Sequence, residues 1–103
     1  MTELGRGAAI AALLLLNGGT THALDISQDE ALHLRRQGEI LPFEAILKVA
    51  MQRYPDGRLL ETELEQEGER LIYEIELLTD DGVVREMEID ARDATVLRDE
   101  LDD

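Results

Sequence analysis

The sequence predicts an α+β fold, one or two N-terminal helices packed on a three- to four-stranded antiparallel β-meander, and three observations carry that prediction. Apolar residues recur at helical spacing from Phe43 to Tyr54, the period falls to two from Arg58 onward, and turns containing Gly68 and Gly82 separate the alternating runs. An amphipathic helix beside half-buried strands is stable when its apolar stripe covers one side of the sheet.

The first element in the chain reads as a leader rather than as part of the domain. Met1 and Arg6 make a weakly positive start, Ala8 to Leu16 form a nine-residue apolar run, and Thr21-His22-Ala23 ends in small residues suited to cleavage before Leu24. Nine residues fall well short of the roughly 20 that cross a bilayer, and Asn17-Gly18-Gly19 breaks any helix after the run. Residues 1–23 are therefore expected to be a signal peptide, which places the rest of the chain in the periplasm or outside the cell, with no stable membrane insertion after cleavage.

Ser27-Gln28-Asp29-Glu30 has the spacing of a capping box, so a short helix should begin there and stop near Gly38. A second helix follows Pro42, with Phe43, Ile46, Leu47, Ala50 and Tyr54 on one stripe and Glu44, Lys48 and Gln52 opposite, and Pro55 ends it. Leu60, Thr62 and Leu64 then alternate with Glu61, Glu63 and Glu65. After Glu67-Gly68 the apolar set is Leu71, Tyr73, Ile75 and Leu77. A two-residue turn at Glu67-Gly68 would pair Leu64 with Leu71 and Glu61 with Glu74, keeping both apolar sets on one face. A three-residue loop at Asp80-Asp81-Gly82, with Gly82 left-handed, sets Ile75 opposite Met87 and Tyr73 opposite Ile89. A last short strand is expected from Thr95 to Arg98, followed by a frayed acidic tail at 99–103.

Composition removes whole classes of function. The 103 residues hold 24 acidic and 10 basic side chains and no cysteine. A net charge of -14 argues against nucleic acid and anionic membrane surfaces as partners. Without Cys there is no disulfide framework, thiolate metal site or cysteine nucleophile. Beyond the leader the chain has one serine, Ser27, spent on a helix cap, and one histidine, His33, on a polar helix, so neither a catalytic triad nor a zinc site can be assembled. No glycine loop fits phosphate, and Asp80-Asp81-Gly82 lacks the spaced ligands of an EF-hand. The residues point to a protein that is not an enzyme.

The order of the pieces resembles a PepSY domain from about Leu41 to Leu97. The likeness rests on the helix ending in Arg53-Tyr54-Pro55, the strand Leu71-Ile72-Tyr73-Glu74-Ile75-Glu76, the Asp80-Asp81-Gly82 turn, and Val84 through Ile89-Asp90-Ala91 to Val96-Leu97. Where that family usually has Thr-Gly before the last strand, this chain has Asp93-Ala94. The resemblance implies an exported, non-catalytic domain that restrains or modulates a peptidase or an envelope sensor protein. It divides the chain into a signal peptide (1–23), a short helix or linker (24–40), a PepSY-like domain (41–98) and an acidic tail (99–103).

The expected registers gather carboxylates on the outward side of the sheet. Glu61, Glu74, Glu76, Glu86 and Glu88 face like charges across the strands, with Glu63 and Glu65 extending the same face. Directly opposed like charges destabilise a sheet. Three readings of this face stay open: a solvated surface kept polar for solubility, an acidic docking face for a basic partner, or a site for Ca²⁺ or a similar ion on Glu61, Glu74, Glu76, Glu86 and Glu88. Arg70 and Arg85 are the evident nearby cations, and Arg85 is expected to point to the other face. Leu78 and Val84, beside the second loop, would either pack under the N-terminal helix or join Glu63 and Glu65 in contacting a partner.

Overall fold

The computed structural model describes residues 24–102; the expected signal peptide lies outside the described residues. In chain order the elements are β1 (Leu24–Asp25), α1 (Gln28–Arg36), α2 (Phe43–Arg53), β2 (Arg58–Glu67), β3 (Arg70–Leu78), β4 (Val84–Asp90) and β5 (Val96–Leu101). The five strands form one antiparallel sheet in sequence order. This is the expected α+β arrangement with one strand more than foreseen. The addition is β1, whose two residues pair with Gln66 and Glu65 at the β2 edge.

Both helices begin and end as their sequences direct. The Ser27 side chain accepts from the Glu30 N–H at 3.2 Å, the first half of the capping box. At the other end Gly38 takes φ +73°, Gly38 N–H donates to Arg35 and Glu39 N–H donates to Leu34, which is a Schellman closure. Helix α2 runs from Pro42 as N-cap to Tyr54 as C-cap and buries Ile46 and Ala50 completely.

The core lies between α2 and the inner side of the sheet. Ile46 and Ala50 meet Leu71, Tyr73, Ile75, Leu77, Met87 and Ile89, and Ala31 and Leu34 of α1 pack at the margin. Phe43 and Tyr73 bring their rings to 5.6 Å in a tilted pair. Ile75, Leu77, Met87 and Ile89 have no exposed surface. At about 25 cal/mol per Å² of apolar area removed from water, this layer is the main stabilising contribution.

The second hairpin has the expected register, with Ile75 opposite Met87, Tyr73 opposite Ile89, and Gly82 at φ +83°. The first is displaced by two residues. Its turn is Gly68-Glu69, not Glu67-Gly68, because the positive φ of Gly68 (+63°) belongs at the first central position of a tight hairpin turn. Leu64 therefore faces Tyr73, not Leu71, and Glu61 faces Glu76, not Glu74. A slip of two preserves which face each side chain occupies while changing every partner. A bulge between Leu59 and Glu61 also removes Leu60 from the alternating set and leaves it 51% exposed.

The last turn and strand depart further. Ala94 adopts φ +65°, the left-handed conformation that glycine usually supplies, at a cost of about 1 kcal/mol. Bonds from Ala94 N–H to Asp90, from Asp90 N–H to Thr95, and from Thr95 N–H to the Asp93 carboxylate hold it there. Strand β5 then continues to Leu101, so Asp99 and Glu100 are paired strand residues and not a frayed tail.

Candidate functional site

The sheet has one helix-covered side and one side with no helix among the described residues, and the register writes the uncovered side in rows. Glu61, Glu76, Glu86 and Glu100 stand directly opposite one another across β2, β3, β4 and β5. The next row is Glu63, Glu74, Glu88 and Arg98. A third runs Asp25, Glu65, Ile72 and Asp90 from β1 to β4. Four glutamates in one cross-strand row oppose the usual preference for unlike charges at facing positions.

Arg98 relieves part of this repulsion. Its guanidinium reaches Glu86 at 3.1 Å, Glu88 at 3.2 Å and Glu100 at 3.5 Å. Among the described residues no cation is paired with Glu61, Glu63 or Glu65; Arg58 stands on the same side at the start of β2, opposite Leu78, and Arg70 pairs with Asp90 at 3.9 Å. Burial raises the carboxyl pKa of Glu74, with further upward pressure from Glu86, Glu63 and Glu88 that Arg98 only partly counters. Glu76 is raised too, by desolvation and then by Asp102, Glu61 and Glu86. The strongest case is Glu65, pushed up to about 7 by burial first, then by Glu74, by a hydrogen bond and charge from Glu63, and by Asp25.

Asp25, Glu63 and Glu65 bring carboxylate oxygens within 4.8 Å of one another. Three such oxygens are the kind of donor set that hard divalent ions use. The five glutamates singled out from the sequence, Glu61, Glu74, Glu76, Glu86 and Glu88, do share one face, in two adjacent rows, but Arg98 occupies the Glu86 and Glu88 end. Asp25 escaped the sequence reading because its place depends on β1, a strand of two residues with no period to detect.

Leu78 and Val84 face each other at the loop end of the same side, half-buried and outside the helix-covered core. They do not pack under α1, which lies across the sheet from them. His33 is exposed on α1, as its polar surroundings imply.

A second polar cluster closes the inner side at one end. The Asp99 carboxylate accepts from Tyr54 Oη at 2.7 Å, Arg53 Nη1 at 3.0 Å and Arg85 Nε at 3.0 Å, and Arg85 Nη2 donates to the Asp99 carbonyl at 3.2 Å. Arg85 also lies 5.6 Å from the Tyr54 ring centroid. Burial alone would raise the Asp99 pKa, yet the hydrogen bonds from Tyr54, Arg53 and Arg85 outweigh it and hold the carboxyl below its ordinary value. The cluster ties the end of α2 to β4 and β5.

On the inner side near β1, α1 and β2 leave a groove of about 630 Å³, with an apolar floor of Ile26, Leu32, Phe43, Leu64 and Tyr73 and a polar margin that includes Asp29, Arg35 and Thr62. Among the described residues no helix is long and apolar enough to cross a membrane.

This architecture agrees with the family comparison. The family model described as "Peptidase propeptide and YPEB domain", PepSY, matches residues 40–100, more than half of the chain, and the protein belongs to that family. The match encloses α2, strands β2 to β4, β5 up to Glu100, and every residue of the three rows except Asp25. Among curated proteins and among solved structures there is no match to the chain.

Proposed function

We propose that this protein is an exported, non-catalytic interaction module that binds a peptidase or an envelope sensor protein and restrains its activity. Membership of a family described by peptidase propeptides is the observation that carries the reading. The absence from the sequence of cysteine, and of a second histidine beyond the leader, is consistent with a role in binding. The leader at residues 1–23 supports export to the periplasm or the medium.

The acidic rows supply a recognition surface that a basic partner would complement, and charge complementarity of this kind raises association rates and excludes wrong partners. The test is mild chemical cross-linking in envelope fractions of the native cell, then assay of the cross-linked peptidase or sensor with the purified protein added. The reading expects a discrete protein partner whose activity falls on addition. Recovery of no partner, or a partner whose activity is indifferent to the protein, rejects it.

A rival reading rests on the proximity of Asp25, Glu63 and Glu65: the domain responds to Ca²⁺ or a similar ion, which relieves repulsion on the face. It predicts an ion-specific gain in stability, whereas the docking reading predicts one set by ionic strength alone.

A further inference from the structure

We infer that the open stretch of the β2 edge centred on Thr62, between the β1 pairing at Glu65 and the bulge at Leu59/Glu61, takes up a short extended segment of the partner protein as an added strand, and that this segment alternates apolar and basic residues. The inference rests on the interaction-module reading and names the chemistry of what is bound.

The first support is the unpaired backbone. Strand β1 covers only Glu65 and Gln66, and the Ile26 N–H adds one bond to the Leu64 carbonyl at 2.8 Å. Among the described residues no strand lies along the rest of that edge, and Arg58 to Thr62 are all exposed, with the bulge between Leu59 and Glu61 ending the regular stretch at Glu61. In an antiparallel ladder the N–H and C=O of one residue point the same way and alternate residues share a side. Leu64 points its carbonyl to the β1 side, so Thr62 presents both main-chain groups to the same open side.

The second support is what flanks that edge on its two faces. Thr62, opposite Ile75, belongs to the inner side and stands beside the groove whose apolar residues are Ile26, Leu32, Phe43, Leu64 and Tyr73 and whose margin carries Asp29 and Arg35 of α1. Glu61 and Glu63 belong to the outer side and begin the acidic rows. A strand laid along this edge would direct the residue opposite Thr62 toward the groove and those opposite Glu61 and Glu63 toward the carboxylates. Apolar in the first position and basic in the other two is the complementary pattern.

The same charges select against a second copy of this chain. An edge strand rich in glutamate repels its own like, which is how proteins keep edges from pairing indiscriminately, while a basic strand meets attraction. The opposite edge lacks the combination. At β5 the Asp99 bonds to Arg53, Tyr54 and Arg85 occupy the inner side, and the recess there is lined by Asp80, Asp81, Arg85 and Tyr54.

The test is fluorescence anisotropy of the full chain with a labelled eight-residue peptide of alternating lysine and valine. Removing main-chain bonds or reversing charge should each weaken binding by about tenfold or more, so the same peptide N-methylated at alternate amides and a glutamate-valine peptide are the comparisons. Thr62→Pro, which deletes the edge N–H, should weaken the parent peptide similarly, and Leu32→Glu should do so by placing charge in the groove. Equal binding of the parent and both N-methylated registers would show adsorption to the acidic face and overturn the inference, as would no binding of the parent peptide. The N-methylated peptides leave the protein intact, so the conclusion stands if Thr62→Pro fails to fold. A native partner that is captured and restrained equally well by folded Thr62→Pro would overturn the edge while leaving the interaction module in place.

Discussion

The two sides of this sheet are built from the same strands and obey opposite rules. On the inner side Ile75, Leu77, Met87 and Ile89 are fully buried under α2, and the one deeply engaged carboxylate, Asp99, has three donors around it. On the outer side four glutamates, Glu61, Glu76, Glu86 and Glu100, stand in one row, and Arg98 reaches only Glu86 and Glu100 of them. The difference teaches where stability resides and where it has been given up. A surface that retains repulsion contributes less to stability than the core beneath it, the trade that the proposed docking role would require.

Breaking the inner side should have the largest effect. Ile75→Ala removes a fully buried side chain and is expected to cost about 3 to 4 kcal/mol in denaturant unfolding. Asp99→Ala comes next, at about 2 to 3 kcal/mol, because it strips three donors of their shared acceptor. Tyr54→Phe, which removes one of the three, should cost less than Asp99→Ala in the same assay.

Acid sharpens the comparison, since the two sides respond in opposite directions. Glu65 has a folded pKa near 7, above its ordinary 4.5, so the native state binds the extra proton between those values. Its contribution is complete below about pH 4.5 and is lost as pH rises through 7. Asp99 is depressed below its ordinary 3.8, so its contribution is present above that value and is lost as pH falls through the lower folded pKa. Unfolding followed from pH 3 to 8 should therefore show stability falling with pH between about 4.5 and 7, and Glu65→Gln should flatten that slope. An unchanged slope in Glu65→Gln would move the titration to another group.

The smallest effects belong to exposed charges. Arg98→Gln should cost about 0.5 to 1 kcal/mol, more at low salt, by leaving Glu86, Glu88 and Glu100 unrelieved. Glu74→Gln should raise stability by a few tenths of a kcal/mol, with the gain shrinking as salt is added.

Much of this could be read from residue order, and the parts that could not share a cause. The helices, the α+β class and the second hairpin follow from local signals: a capping box, a 3.6-residue stripe, and a Gly82 with one workable place in its loop. The first hairpin is ambiguous because Gly68 can stand at either central position, and both choices keep the leucines on one side. The acidic face was therefore legible while its rows were not. Pairing Glu61 with Glu76, and so completing a row to Glu100, depends on that two-residue slip and on a β5 that continues past Arg98 into the acidic residues that follow. Asp99 acquired its role from the same extension. It opens an acidic pair with Glu100, and only contacts with Arg53, Tyr54 and Arg85, remote along the chain, show that Asp99 is held in place rather than frayed. Strand β1 depends on long-range pairing in the same way, and Asp25 with it.

The most direct test of an outer face held under repulsion for a protein partner is thermal unfolding at low ionic strength, with Ca²⁺, Mg²⁺ and NaCl compared at matched ionic strength. The account predicts that all three raise the midpoint equally, because screening of the glutamate rows is the only effect, and that Glu65→Gln leaves that equality intact. A rise specific to Ca²⁺ at millimolar concentration or below, abolished by Glu65→Gln, would contradict it and make Asp25, Glu63 and Glu65 an ion site.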